Sequence, residues 1–151
     1  MSFARYPSLD GAVVFTTGGA GGIGAETVRA FAEQGSKVGF IDFDLDSGAN
    51  LVQEVTDAGA DCHFEHADLR DIDDLKGAFA GLREALGPAG VLVNNAARDD
   101  RHGWEDVTPE YYDERIATNL RHMFFATQTV APDMIAAGKG SVEQADISLT
   151  L

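Results

Sequence analysis

Thr17-Gly18-Gly19-Ala20-Gly21-Gly22-Ile23-Gly24 follows directly on the apolar run Ala12-Val13-Val14-Phe15-Thr16 and opens a helical pattern. A chain that turns from strand to helix on this many glycines brings backbone N–H groups close to a ligand. The helix N-terminus adds positive partial charge suited to a phosphate. Taken alone, a glycine-rich octet is weak, because such turns are common. Here it stands in the strand–turn–helix setting that dinucleotide binding needs.

A second apolar run, Lys37-Val38-Gly39-Phe40-Ile41, ends in Asp42, eighteen residues after Gly24. A carboxylate at the end of the second strand of a βαβ unit accepts hydrogen bonds from the ribose hydroxyls of NAD and repels a 2′-phosphate. Asp44 adds negative charge, and no Arg or Lys follows nearby to favour NADP. The competing reading of Asp42 is an exposed loop acid.

The rest of the chain repeats the alternation. Residues 12–17, 37–42, 61–67 and 90–94 read as strands. Residues 22–34, 46–58 and 71–86 read as helices, with Gly35, Gly59 and Gly87-Pro88 as their stops. The first helix carries Ala25, Val28, Ala30, Phe31 and Ala32 as its apolar face. The third strand is the weakest, interrupted by His63, Glu65 and His66. Gly90-Val91-Leu92-Val93-Asn94 is apolar without alternation, as in a parallel sheet covered on both faces. Strands alternating with helices predict an α/β doubly wound parallel sheet, a Rossmann fold, in one domain over residues 1–151. Thr108-Pro109-Glu110 starts a long helix that runs to about Ala137, with a kink expected at Pro132. Its apolar positions, among them Ile116, Leu120, Met123, Phe124 and Val130, exceed one narrow stripe. Either a second copy of the chain covers them, giving a homo-oligomer, or the helix is sandwiched within its own fold.

Composition excludes several functions. The formal charge is −14, from 25 acidic and 11 basic residues, which disfavours nucleic acid and anionic membrane as partners. No span approaches the roughly 20 apolar residues of a membrane helix. Residues 1–7 show no signal-peptide core, so a cytoplasmic location is expected. Cys62 is the sole cysteine and reads as a buried, inert strand thiol. No metal-ligand pattern stands out.

These residues resemble the short-chain dehydrogenase/reductase family. Residues 17–24 fit its Thr-Gly-x-x-x-Gly-x-Gly fingerprint. Asp68-Leu69, after the third strand, resembles the pair that contacts adenine. Asn94-Asn95-Ala96-Ala97 resembles the family's Asn-Asn-Ala-Gly, with Ala97 in place of Gly. Asn119, in Ala117-Thr118-Asn119-Leu120, falls where the family has an Asn on its long helix. The resemblance implies NAD as cofactor, with Gly18, Ala20, Gly21, Gly22, Ile23, Gly24, Asp42, Phe43, Asp68, Leu69, Asn95 and Ala96 at its binding site. Asn119 is the one catalytic-site position, where it would at most order a water. Blander alternatives are that Asp68 caps the next helix, that Asn94 and Asn95 are turn residues, and that Asn119 faces solvent. His102, Trp104 and Tyr111 lie where a substrate-side loop would be and read as surface packing.

The family's catalytic Tyr-x-x-x-Lys has no match here. None of Tyr6, Tyr111 and Tyr112 has Lys four residues on, and no Tyr follows Lys139. That pair supplies the proton which must accompany hydride transfer at an alcohol or ketone carbon. Residues 138–142 resemble the lead into a fifth strand. The tail 143–151 then alternates, with Ala145, Ile147, Leu149 and Leu151 on one side, as in a half-exposed edge strand. Ser148 stands near the family's serine position without a secure register. The expectation is a cofactor-binding front portion with an altered end and a sheet incomplete at its C-terminal edge. Three functions compete: an NAD-dependent oxidoreductase of alcohols or ketones, a non-catalytic NAD-binding or dimerising module, and a folding remnant without ligand.

Overall fold

The computed structural model describes residues 4–100 and 102–144. Five parallel strands form one sheet: β1 (Val13–Thr17), β2 (Lys37–Asp42), β3 (Cys62–His66), β4 (Val91–Asn94) and β5 (Ser141–Gln144), in the order β3-β2-β1-β4-β5. Between them run α1 (Gly22–Glu33), α2 (Leu45–Asp57), α3 (Ile72–Leu86), and the helical stretch α4 (Pro109–Ile116) and α5 (His122–Ala137). This is a doubly wound Rossmann sheet. The connections switch sides after β3, so the crevice lies where β1 and β4 part at their C-terminal ends.

The central strands are covered on both faces, which is why their sequences lack alternation. Val38 and Phe40 of β2 point to one face, packing with Ala25 and Val28 of α1, Leu51 and Val55 of α2, and Cys62. Ile41 points to the other, with Phe15, Leu92, Leu75, Phe79 and Leu82 of α3, and Ala126, Val130 and Met134 of α5. Gly39 lies beneath α3: a Cβ there would stand 3.0 Å from Leu82 and from Phe15. On α1, Ala30 turns outward, in contrast to its expected place on the apolar face.

The polar interruptions of the third strand follow from position: β3 is a sheet edge, its residues 63–65 only half-buried, and His63 bonds Glu65 along the strand at 3.1 Å. Cys62 is buried, and burial pushes its thiol up to about 12, away from reactivity at neutral pH. β5 pairs with β4 from Val91↔Ser141 to Asn94↔Gln144. Val142, Glu143 and Gln144 are all exposed on this strand, without alternation, and the alternating stretch expected over 145–151 lies outside the described residues. Among the described residues no helix is long and apolar enough to cross a membrane.

The long helix runs as expected from Pro109 to Ala137, but a π-helical turn, Ala117–Arg121, separates α4 from α5. Its caps are legible: Thr108 accepts from the Tyr111 amide, and Gly138 ends α5 at φ 68°. The π turn had no sequence signal beyond Asn119 itself.

Leu82 is fully buried against the sheet. Leu82→Ala should lower unfolding free energy by ~2–5 kcal/mol, through lost transfer energy and the cavity left behind, as read by urea denaturation. An unchanged midpoint would mean that the α3 face is not packed as described.

Candidate nucleotide site

Four helices begin on the chain's turns, and three of them cap their own N–H groups. Asp44 accepts from Ser47 at α2, Asp71 from Asp73 and Asp74 at α3, and Thr108 from Tyr111 at α4. Asp71, not Asp68, is therefore the cap of α3. At α1 the cap residue is Gly21, with no side-chain hydrogen bond. The first N–H groups of α1 are thus left for another acceptor, at the positive end of the helix.

The glycines divide into two roles. Gly18 and Gly24 are where backbones meet. A Cβ on Gly18, which sits at φ 67°, would stand 2.7 Å from the Ala96 Cα, and one on Gly24 would stand 1.8 Å from the Gly18 carbonyl oxygen. A Cβ on Gly21 or Gly22, by contrast, would meet nothing within 4 Å. The turn is closed on the protein side and open on the other, as a cradle for a pyrophosphate requires. Ala20 donates its N–H to Asp42 Oδ2 at 2.9 Å, and Gly18 donates to the Ile41 carbonyl at 2.8 Å, so the loop is held over the end of β2.

Asp42 is 9% exposed and so is not a loop acid. Its second oxygen accepts from Asp44 N–H at 3.1 Å. Each oxygen keeps a lone pair for a further donor. Ile23 and Phe43 are exposed apolar side chains, 76% and 78%, at the start of α1 and just past β2. Asp68 is taken up by Arg70, at 2.6 Å, and the Arg70 guanidinium holds its carboxyl below the usual range. Its backbone N–H donates to Asp74. Leu69 is buried in the core, so its side chain does not face the crevice.

Asn95 joins β4 to the glycine loop. Its Nδ2 donates to the carbonyls of Gly18 at 2.8 Å and Thr17 at 3.2 Å, which rules out a free turn residue. The amides of Asn95 and Ala96 both donate to Thr17 Oγ1 at 3.1 Å. Asn119 is also not solvent-facing. Its Oδ1 accepts from Arg98 N–H at 2.8 Å and its Nδ2 donates to the Arg98 carbonyl at 2.9 Å, clamping the loop after β4 to the π turn. The loop is further braced by Arg115 to Asp100 at 2.9 Å, Arg98 to Asp100 at 2.8 Å and the Tyr111 hydroxyl to the Asp100 carbonyl at 2.9 Å. His102 packs against Tyr111 with ring centroids 4.2 Å apart and the rings tilted by 39°, while Trp104 is 84% exposed. Among the described residues no group of three His, Cys, Asp or Glu side chains is arranged to hold a metal ion.

The motifs did not single out His122, fully buried beneath Thr17, with Nε2 3.3 Å from its hydroxyl. The available signal was spacing: His122, Ala126 and Val130 fall on one helix face, so a histidine stands in the row that meets the core.

The open glycine turn, the uncapped α1 and a carboxylate at the end of β2 lie together at one end of a Rossmann sheet. The short chain dehydrogenase family profile matches residues 12–144. The chain is 45% identical over 140 residues to a probable galactose dehydrogenase of Rhizobium meliloti, covering 92% of this chain and 55% of that protein. It is 45% identical over 142 residues to D-xylose 1-dehydrogenase of Caulobacter vibrioides, covering 94% and 56%. A metagenomic short-chain oxidoreductase solved in complex with NADP superposes with a TM-score of 0.87 at 30% identity, over 93% of this chain and 65% of that one. The chain belongs to the short-chain dehydrogenase family, whose members use nicotinamide cofactors, and it spans about half the length of the curated relatives it matches.

Two glycine variants separate fold from binding. Gly21→Ala should leave the urea midpoint within about 0.5 kcal/mol of the unmodified chain, since its Cβ meets only open space. It should nevertheless weaken NADH by at least about tenfold. Gly24→Ala should cost stability by ~1–3 kcal/mol, because its Cβ collides with backbone. Undiminished NADH binding by Gly21→Ala would place the pyrophosphate elsewhere.

Proposed function

We propose that this chain is the cofactor-binding portion of an NAD-dependent oxidoreductase that acts on an alcohol or ketone, and specifically on the alcohol carbon of an aldose. The observation that carries the reading is the α1 N-terminus, uncapped and open at Gly21 and Gly22, with Asp42 fixed beside it through Ala20. The aldose assignment rests on the names of the two relatives at 45% identity.

The residues present fit a dinucleotide. Backbone N–H groups from Gly21 onward face the pyrophosphate, Asp42 accepts from the adenosine ribose, and Ile23 and Phe43 supply apolar contact. When bound, the nicotinamide accepts or returns a hydride. Asn95 and Ala96 form the floor of the crevice, and Asn119 fixes the loop that walls it. Asp68, held by Arg70, lies on the adenine side. Preference for NAD over NADP follows from charge. A 2′-phosphate placed at Asp42 would meet a buried carboxylate, with Phe43 and Asp44 next in sequence and no adjacent cation. The NADP in the metagenomic neighbour belongs to that protein. A cytoplasmic location remains the reading that goes with this chemistry.

Turnover needs a group that takes the proton from the alcohol oxygen on oxidation, or gives it to the ketone oxygen on reduction, and within these 151 residues no Tyr-x-x-x-Lys supplies it. We therefore expect the 151-residue chain to bind NADH without oxidising aldoses or simple secondary alcohols. Titration with NADH and NADPH should show NADH tighter. Asp42→Asn, which keeps an acceptor for Ala20 and removes the charge, should shrink that preference by about tenfold, or ~1.4 kcal/mol. Tighter NADPH binding by the unmodified chain would overturn the cofactor assignment, and steady NADH production would overturn the inactivity.

The dimerising reading is favoured by one observation. Leu120 and Phe124 remain 57% and 64% exposed and line, with Met123, Thr127, Ala131 and Gln144, a groove of about 640 Å³. Self-association through this face is the proposed state. Sedimentation at high micromolar concentration should show a species larger than the monomer, shifted back to monomer by Phe124→Lys.

A further inference from the structure

We propose that His122 is a positioning residue for the nucleotide crevice: through the Thr17 hydroxyl it fixes the amides of Asn95 and Ala96, and with them the register of β4 against the glycine loop. The inference deepens the proposed function and rests on its assignment of the cofactor to this crevice.

Every bond in the relay has a forced direction. The Thr118 carbonyl, one turn back along the helix, can only accept, so the Nδ1 of His122 that meets it carries the hydrogen. Burial disfavours the charged imidazole, pushing its pKa below the usual value, so the ring has one N–H and Nε2 is bare. Nε2 is then an acceptor, and the group it faces at 3.3 Å is Thr17 Oγ1, which must donate its one hydrogen there. That leaves two lone pairs on Oγ1, and two amides occupy them: Asn95 N–H and Ala96 N–H, each at 3.1 Å. The hydroxyl's one donor and two acceptor sites are all used.

Rotating the hydroxyl away would turn its hydrogen toward an amide hydrogen and release one of the two strand-end N–H groups. His122 thereby decides where the Thr17 lone pairs point. The geometry beyond this is tight, because the Ala96 Cα lies against Gly18. A displacement at Ala96 is passed directly to the first glycine of the cradle. The helix carrying Asn119 therefore reaches the crevice by two routes: Asn119 to Arg98, and His122 through Thr17 to Ala96.

The test compares His122→Leu, which fills the space without an acceptor, with His122→Gln, which puts an amide oxygen near the Nε2 position. Hydrogen exchange of the unliganded chain should quicken at the Asn95 and Ala96 amides by about tenfold in the Leu variant, relative to the Val38 and Phe40 amides of β2. The Gln variant should recover most of it, and NADH affinity should follow the same order. A residue that only fills the core would give the reverse: Leu at least as protective as His, with exchange at Asn95 and Ala96 unchanged. That result overturns the proposal. Should His122→Leu fail to fold, Thr17→Val removes the same hydroxyl and must speed exchange at the same two amides. Imidazole nitrogen NMR of the unmodified chain provides an independent check: protonation at Nδ1 is expected, and protonation at Nε2 overturns the relay. If the unmodified chain binds no NADH, the cofactor reading fails while the exchange pattern still decides the role of His122.

Discussion

Three backbones meet at one point between β1 and β4. Gly18 leaves β1 against Ala96, which leaves β4, and Gly24 on α1 sits over the Gly18 carbonyl. No side chain fits among them, so the approach is possible only with hydrogen at each glycine. Its backbone polar groups are met within the protein. Asn95 does this from one side, donating to the Thr17 and Gly18 carbonyls, and Thr17 Oγ1 does it from the other, accepting the Asn95 and Ala96 amides. The placement of α1 over β1 and the shape of the turn depend on this contact. Opening it by even a fraction of an ångström would disturb both strand ends at once.

The elements and their order were readable because local signals agree with the tertiary arrangement. Apolar runs without alternation mark β1, β2 and β4, which are covered on both faces; the interrupted run at 61–67 reads only as a weaker strand, and the sheet order shows it to be an edge. Thr108 and Gly138 mark the ends of the long helix because capping is chemistry within a few residues of sequence. Of the candidate site, the local geometry was legible where a glycine or a strand-end carboxylate is required at a fixed spacing. It was not legible where function depends on partners far apart in sequence. Asp42 was read as a ribose acceptor, and its bond to the Ala20 amide was not foreseen. Asp68 was placed on the adenine side without its pairing to Arg70. Leu69, grouped with it, turned out to be core. His122 and Thr17 are 105 residues apart, and no local pattern joins them.

The electrostatics of the site follow from what the arginines already hold. A chain with net charge −14 that binds a dinucleotide, itself an anion, would be expected to gather cations at the pyrophosphate. Three arginines of these loops are instead paired with carboxylates of the protein, Arg70 with Asp68 and Glu114, Arg98 with Asp100 and Glu114, Arg115 with Asp100, while Arg121 donates to the Arg70 carbonyl. They brace the loops after β3 and β4 against α4. At α1 itself, what would meet a phosphate is the partial charge of backbone N–H groups, fixed in direction by the fold. Fixed dipoles need no reorganisation when the ligand arrives, whereas an arginine would first have to leave its carboxylate. On the proposed reading, the same arrangement would disfavour one further negative charge at Asp42. Amides at α1 can accommodate the pyrophosphate, but a third phosphate at Asp42 would face a buried carboxylate whose own bonds to Ala20 and Asp44 prevent it from turning away. On the proposed reading, cofactor choice would be coupled to loop structure: Asp42, the residue that would exclude an extra phosphate, is also the one that holds the glycine loop through the Ala20 amide.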